Sequence, residues 1–419
     1  MKAHRSRGVR CLLVLRGFLA AAVPVAAVGL ASGQTFSGLG ALPGMTYSYG
    51  FGVSGDGLTA VGYSDHAYRW TAGVMQDLGT LPGGITSQAW AASQTGAFIT
   101  GNSDTGGSFS AAFRWSGPQG MVNLGTLGTS AFGLAISADG AVVVGRSGVM
   151  PSGNFHAFRW TAESAMQDLG VFEGDNASVA TAASADGSVV VGYSVGYLST
   201  RPFRWTSATG MVDLGLLPGG NLCYATAVSG DGATIAGWGT SASGSTAFIW
   251  TAESNTLTPL GTLPNGSGSV ANAISADGAT VVGRADDAGF SRAFLWTDAG
   301  MVDLNTYLPT LGGNLTGWTL TSANGVSGDG RTIVGSGTHN GSSEAWIAEL
   351  PAPSHCGTAD FNGDGDVGTD ADIEAFFACL AGSCCASCDP HGADFNGDGD
   401  VGTDADIDSF FRVLAGGPC

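Results

Sequence analysis

Apolar and polar positions along this chain repeat one compound pattern. A short alternating segment leads into Ser-x-Asp-Gly. A run apolar on both faces follows and ends in Gly. An aromatic-Arg-Trp alternation comes next, and Met-x-Asp-Leu-Gly closes the unit. The fullest copy is Ile136–Gly170, with ISADGAVVVGRS, HAFRWT and MQDLG in order. The apolar run recurs as LTAVG (58–62), AFITG (97–101), SVVVG (188–192), ATIAG (233–237), ATVVG (279–283) and RTIVG (331–335). Its aromatic companion falls at Tyr68, Phe113, Phe158, Phe203, Phe248, Phe294 and Trp346, in steps of 45, 45, 45, 45, 46 and 52 residues. A period of this size marks an array of supersecondary units.

Each unit reads as four strands. Asp-Gly between two apolar segments is a hairpin turn, because Gly accepts positive φ and Asp bonds its own backbone. The doubly apolar run is a strand covered on both sides. In Phe158-Arg159-Trp160 the two rings share one face and Arg159 takes the other. Four strands per roughly 45 residues is one blade of a propeller. The seven aromatic slots predict an all-β, seven-bladed β-propeller over residues 34–350. The first segment, Thr35–Gly40, is a lone fourth strand, whereas the last unit stops at Trp346–Leu350 without one. Residues 36–39 are therefore expected beside 346–350, closing the ring. An open solenoid would need capping repeats, and none is visible.

The tripeptide His156-Ala157-Phe158, nearly matched by His66-Ala67-Tyr68, resembles the HAF repeat of predicted extracellular proteins. The resemblance covers about residues 34–350 and implies a secreted or surface β-repeat protein without established chemistry. Ala111, Arg201, Thr246 and Arg292 stand in the histidine place elsewhere, so that histidine is no common metal ligand.

Residues 1–33 read as an export signal, with Lys2, Arg5, Arg7 and Arg10 ahead of the apolar run Phe18–Leu30 and small residues at 31–33. That run, broken by Pro24, is shorter than the ~20 residues of a membrane span. The chain carries a net charge of −19. Loss of the signal's five cations takes it to about −24, which excludes nucleic acid and anionic lipid as natural partners. Residues 351–355 form a Pro-containing linker. In the segment 356–419 thirteen acids face Arg412 alone, and six cysteines appear: Cys356, Cys379, Cys384, Cys385, Cys388 and Cys419. In an exported chain these imply disulfides, with connectivity left open. Cys223 stands alone in the repeats and reads as a buried thiol.

Within that segment DFNGDGDVGTDADI occurs twice, at 360–373 and 394–407. Each copy opens like an EF-hand loop, with oxygen donors at places 1, 3, 5 and 7 and Gly at 6. The expected ligands of two calcium ions are Asp360, Asn362, Asp364, Asp366 and Asp372, then Asp394, Asn396, Asp398, Asp400 and Asp406. Asp370 and Asp404 are the alternative closing acids. Helical stripes follow at Ile373, Phe376, Phe377, Leu380 and at Ile407, Phe410, Phe411, Leu414, which should form a small core. Paired calcium loops each followed by one helix resemble a dockerin, here of a Cys-rich type. The resemblance implies a calcium-dependent module that docks a cohesin-like or other cell-surface protein through Thr369, Asp370, Thr403 and Asp404. The loops depart from the family at place 12, which is Ala371 or Ala405.

Several other strings lose their meaning in context. Gly192-Tyr-Ser194-Val-Gly196 spells a nucleophile elbow, but no helix follows and VGxS ends other units too. The turn aspartates Asp56, Asp139, Asp186, Asp231, Asp277 and Asp329, and the DLG aspartates Asp77, Asp168, Asp213 and Asp303, belong to the repeat and should satisfy loop amides. The residue after the apolar run varies where its neighbours do not: Tyr63, Asn102, Arg146, Tyr193, Trp238, Arg284 and Ser336. Blade geometry should carry these seven to one mouth of the channel, where exposed rings and guanidiniums suit a glycan or an anionic ligand, with a protein ligand also open. No catalytic residue is assigned. The reading is a secreted, non-catalytic binding propeller on a docking module. The alternatives are a dockerin-borne enzyme degrading polysaccharide, such as a glycoside hydrolase or lyase, and a structural surface protein.

Overall fold

The computed structural model describes residues 36–242, 244–351, 360–384, 395, 402 and 404–414. The export signal, Asp394, Asn396, Asp398, Asp400, Thr403, Cys356, Cys385, Cys388 and Cys419 lie outside the described residues, as do the side chains of Asp404 and Ala405. No helix among the described residues is long and apolar enough to cross a membrane.

Seven four-stranded sheets form between residues 36 and 349, each with its strands in chain order except the last. The first strand of every sheet touches the first strand of the next, and the seventh returns to the first. The seven first strands therefore ring a central axis, and the chain is a seven-bladed β-propeller. The last blade is completed by Phe36–Gly40, which pairs antiparallel with Ser342–Glu349 in the register Phe36↔Ala348, Ser37↔Ile347 and Gly38↔Trp346. Phe36 is buried against Trp318 (5.2 Å, edge-on) and Trp346 (6.2 Å). Glu344 clasps the joint: one oxygen accepts the Gly40 N–H at 3.0 Å and the other meets His339 Nδ1 at 2.7 Å.

The recurrent glycine and the aromatic slot are cross-strand partners: Gly62↔Tyr68, Gly101↔Phe113, Gly145↔Phe158, Gly192↔Phe203, Gly237↔Phe248, Gly283↔Phe294 and Gly335↔Trp346. All seven rings are fully buried. A Cβ at Gly192 would lie 2.9 Å from the Phe203 ring and would strike the Val179 carbonyl. Glycine is there to let ring and backbone meet.

At each Ser-x-Asp-Gly turn the serine holds the hairpin. Ser184 Oγ donates to Asp186 Oδ1 (2.7 Å) and accepts the Val189 N–H (3.0 Å). The Ser184 hydroxyl and the Ser188 N–H push the Asp186 carboxyl down to about 2. The turn aspartates are thus engaged as turn chemistry requires. The x residues, with Asp56 donating in place of Gly55 in the first blade, form a hoop across blade boundaries: Gly328 N–H to Gly55 O, Asp56 to Gln94, Gln94 to Ala138, Ala138 to Ala185, Ala185 to Gly230, Gly230 to Ala276 and Ala276 to Gly328, all at 2.8–3.0 Å. This end of the channel is bound edge to edge by backbone, which accounts for glycine or alanine at six of the seven places.

The longer step of 52 residues before Trp346 has a physical cause. A helix, Leu304–Thr310, is inserted before the last blade, capped by Asp303 and seated by buried Leu304 and Leu308. Further along, helices Asp370–Leu380 and Asp404–Leu414 form as the stripes predict. Phe376 and Phe410 stack at 4.0 Å. The expected core needs one correction: Phe377 and Phe411 are 43% and 44% exposed. Phe361 and Phe395 from the two loops, both fully buried, occupy the centre that those side chains would have filled. Cys379 and Cys384 form a disulfide.

Candidate functional site

The chain direction separates the two ends of the channel. Each first strand runs toward its Ser-x-Asp-Gly turn, so the start of the first strand and the end of the second lie at the other end, away from the backbone hoop. The variable residues all fall there, each directly across from a first-strand residue: Tyr63↔Tyr49, Asn102↔Gln88, Arg146↔Phe132, Tyr193↔Val179, Trp238↔Tyr224, Arg284↔Val270 and Ser336↔Ser322. Six of the seven are half-buried rather than exposed, and only Arg284 stands clear. For two of them Tyr224 supplies the cover: Trp238 stacks on it at 4.5 Å, and Tyr193 meets it edge-on at 4.8 Å.

Two members are committed to the scaffold. Asn102 Oδ1 accepts the Trp90 indole N–H at 2.8 Å. Ser336 Oγ takes the Gly50 N–H at 3.2 Å, joining the last blade to the first. Arg146 is held between Phe132 and Phe155, its guanidinium carbon 4.8 Å from each ring. Among the described residues its buried Nε has no hydrogen-bond partner. Tyr63 is pushed up to about 12 by its hydrogen bond with Tyr47 and by partial burial, so its hydroxyl stays protonated. Burial raises Tyr193 also.

Every first strand carries a bulge three residues before its turn serine, at Phe51, Trp90, Leu134, Thr181, Thr226, Asn272 and Asn324. These residues form a belt around the inside of the ring. Thr181 donates to Ala225 O (2.8 Å), Thr226 to Ala271 O (2.8 Å), Asn272 to Ala323 O (2.9 Å) and Asn324 to Gly50 O (2.7 Å). Phe51 and Trp90 instead stack at 4.4 Å. The belt is thus aromatic in blades one and two, apolar at Leu134 in blade three, and made of hydroxyls or amides in blades four to seven. Sequence reading missed both the belt and the first-strand partners. Counting back three and five places from each turn serine, Ser93 of the second blade included, would have found them.

The remaining repeat acids do structural work. Asp77, Asp168 and Asp213 each accept the N–H two residues on, at 2.7–2.8 Å. Across the strand Asp77 and Asp168 also hold His66 and His156 at 2.9 Å, and Asp213 holds Arg201 at 2.9 Å. The Asp77 contact raises His66 above its ordinary range. Ser194 is fully buried and its Oγ accepts the Phe172 N–H at 3.1 Å, as Ser147 does for Leu127. It is a strut of the repeat. Cys223 is a buried free thiol whose Sγ receives the Leu217 N–H.

The sequence matches no protein-family model and no curated protein. Its fold is similar to that of an oligogalacturonate lyase from Vibrio parahaemolyticus, at 11% identity over 77% of this chain and 96% of that one, with a TM-score of 0.53. An oligogalacturonate lyase in complex with manganese aligns at 14% identity over 72% and 88% of the two chains, with a TM-score of 0.49. TolB from Acinetobacter baumannii aligns at 13% identity over 60% of each chain, with a TM-score of 0.40. The likeness is one of fold.

In the C-terminal segment, Asp360 accepts the N–H groups of Asp364 and Gly365 at 3.1 and 3.0 Å, wrapping the loop around its carboxylate. Asp366 and Asp370 are exposed, whereas Asp372 is fully buried. Asp372 reaches back across the loop to the N–H groups of Asn362 (3.2 Å) and Thr369 (2.8 Å). Burial opposes its ionisation, but those N–H donors and the Thr369 hydroxyl prevail, and its carboxyl titrates below the usual range. Asp406, its counterpart in the second copy, is buried likewise. Among the described residues no three Asp, Glu, His or Cys side chains converge on one point. A cation would therefore have to draw the loop's carboxylates inward. The donor set, all hard oxygens around a glycine turn (Gly365, φ +93°), fits calcium chemistry.

Proposed function

We propose that this is an exported binding protein whose propeller mouth holds a ring-bearing ligand, a glycan by preference, and whose C-terminal module attaches it to a partner. The observation that carries the reading is the Tyr193–Tyr224–Trp238 cluster at the open end of the channel. Flat rings partly open to water suit the apolar faces of sugars, and fixing them in place beforehand saves ordering entropy on binding. Trp238→Ala should weaken glycan binding by about 1–3 kcal/mol while leaving the melting temperature within a few degrees of the parent. A glycan array read in parallel with reducing-sugar release tests this. Binding without release supports the proposal; release of new reducing ends would replace it with a polysaccharide-degrading enzyme.

The module reading extends the same proposal: two calcium ions, held by Asp360, Asn362, Asp364, Asp366 and Asp372 and by their second-copy equivalents, order the loops for docking. Thr369, Asp370, Thr403 and Asp404 would then face a cohesin-like or cell-surface protein. Calcium titrated into the full chain is expected to give a stoichiometry of two, with dissociation constants down to about 10⁻⁴–10⁻³ M sufficing outside a cell. The Asp360→Ala, Asp394→Ala double variant should lose both sites. A stoichiometry of zero in the parent, measured calorimetrically, would remove calcium from the reading.

A further inference from the structure

Among the described residues, two guanidiniums at the variable position of the mouth have no carboxylate partner, and Arg292, one strand farther out on the same end, is a third. Arg146 and Arg284 occupy the same register position in blades three and six, three blades apart in a ring of seven. Among the described residues neither has a carboxylate partner, whereas Arg201 on the same end is held by both Asp175 (3.2 Å) and Asp213 (2.9 Å). Arg146 is fixed by its two phenylalanine rings; among the described residues its Nε has no hydrogen-bond partner, which is true of Arg201 Nε as well. Arg284 is exposed. Asp286, two residues on from Arg284, accepts the Ser267 hydroxyl at 3.0 Å. In a chain of net charge −19, leaving these cations without carboxylates around one mouth creates a local site for anions that the overall charge disfavours.

The rings between the two arginines carry the other half of the argument. In chain order the arc from Arg146 to Arg284 runs through Tyr193, Tyr224 and Trp238, aromatic faces with no charge of their own. A ligand meeting both features has flat apolar ring faces along its length and carboxylates at intervals. We infer that the mouth takes an acidic oligosaccharide, a chain of uronic-acid type. Its pyranose faces lie along the Tyr193–Tyr224–Trp238 arc and its carboxylates pair with Arg146 and Arg284. This rests on the glycan-binding reading above and narrows it. Guanidinium suits the task because its planar fork meets a carboxylate through two parallel N–H bonds.

The test uses the full-length protein and a matched pair of probes: a uronic-acid oligosaccharide, and the same chain with its carboxyls reduced to primary alcohols. Rings and linkages are shared, so charge alone differs. Binding is measured calorimetrically at low and at physiological salt. The acidic chain is expected to bind about tenfold more tightly, the advantage shrinking with salt and with Arg284→Gln, which removes an exposed side chain and leaves the core intact. Arg146→Gln should act in the same direction, with its melting temperature reported alongside because Phe132 and Phe155 pack on it. Equal binding of both probes, lost in Trp238→Ala, would overturn the acidic specificity and leave glycan binding standing. Binding of neither would overturn both. Equal binding of a poly-glutamate peptide, indifferent to Trp238→Ala, would assign the arginines to an acidic polypeptide instead.

Discussion

Deleting residues 36–40 is expected to lower the stability of the whole ring by about 5 kcal/mol and to replace one melting transition with several. The magnitude follows from the full burial of Phe36, about 1.5–3 kcal/mol, and from a short ladder of hydrogen bonds at about 1 kcal/mol each. Loss of the segment also uncovers Trp346 and Trp318, which pack on Phe36. It leaves Ser342–Glu349 as a bare edge of unpaired N–H and C=O groups, so self-association should follow. Denaturant unfolding with size-exclusion chromatography reads both effects, and a synthetic peptide spanning residues 34–42 should restore part of the loss. An unchanged midpoint in a monomeric deletion protein would show that blade-to-blade packing alone keeps the ring shut.

The second large effect is expected at the glycine facing the aromatic slot. At Gly145 an added Cβ would collide with the Phe132 carbonyl and lie 3.1 Å from the Leu134 N, on the inner strand itself. Backbone cannot turn aside as a flexible side chain does. Gly145→Val should therefore cost about 3 kcal/mol or more, above the ordinary penalty for overpacking, or prevent folding. Phe158→Ala, which empties the same place, should cost about 3–5 kcal/mol. Gly117 is the control: it has open space around the position of a Cβ and no positive φ, so Gly117→Ala should change stability by no more than about 0.5 kcal/mol. Equal costs at Gly145 and Gly117 in matched denaturation curves would rule out the close-approach explanation.

Much of the architecture was legible in residue order because it is written in a repeat. Seven aromatic slots, the Ser-x-Asp-Gly turns and an unmatched first segment are local or periodic features. Period-two patterning and turn chemistry act within a few residues, so reading them needs no knowledge of what lies across a blade boundary. The same holds for the acids of the turns and for Ser194, whose repetition already marked it as part of the scaffold. The helical stripes after residues 370 and 404 were legible for the same reason.

What the sequence could not disclose is whatever depends on neighbours far apart in the chain. Nothing local distinguishes Asn102 and Ser336 from Tyr63 or Trp238 at the variable position. Only the folded ring shows that the Trp90 indole and the Gly50 backbone consume the first two. The backbone hoop at residues 55, 94, 138, 185, 230, 276 and 328 likewise exists only when seven turns meet, and it decides which end of the channel is tied edge to edge and which is lined by aromatic rings. Phe361 and Phe395 look like loop residues in a calcium motif, yet they take the centre of the small core and turn Phe377 and Phe411 outward. Residue order by itself determined the blade count, the turns and the ring closure, since each is set by contacts within a unit or by a missing strand. Tertiary structure alone decided which side chains are spent on holding blades together and which are left for a ligand, because burial and hydrogen-bond partners are properties of the closed ring.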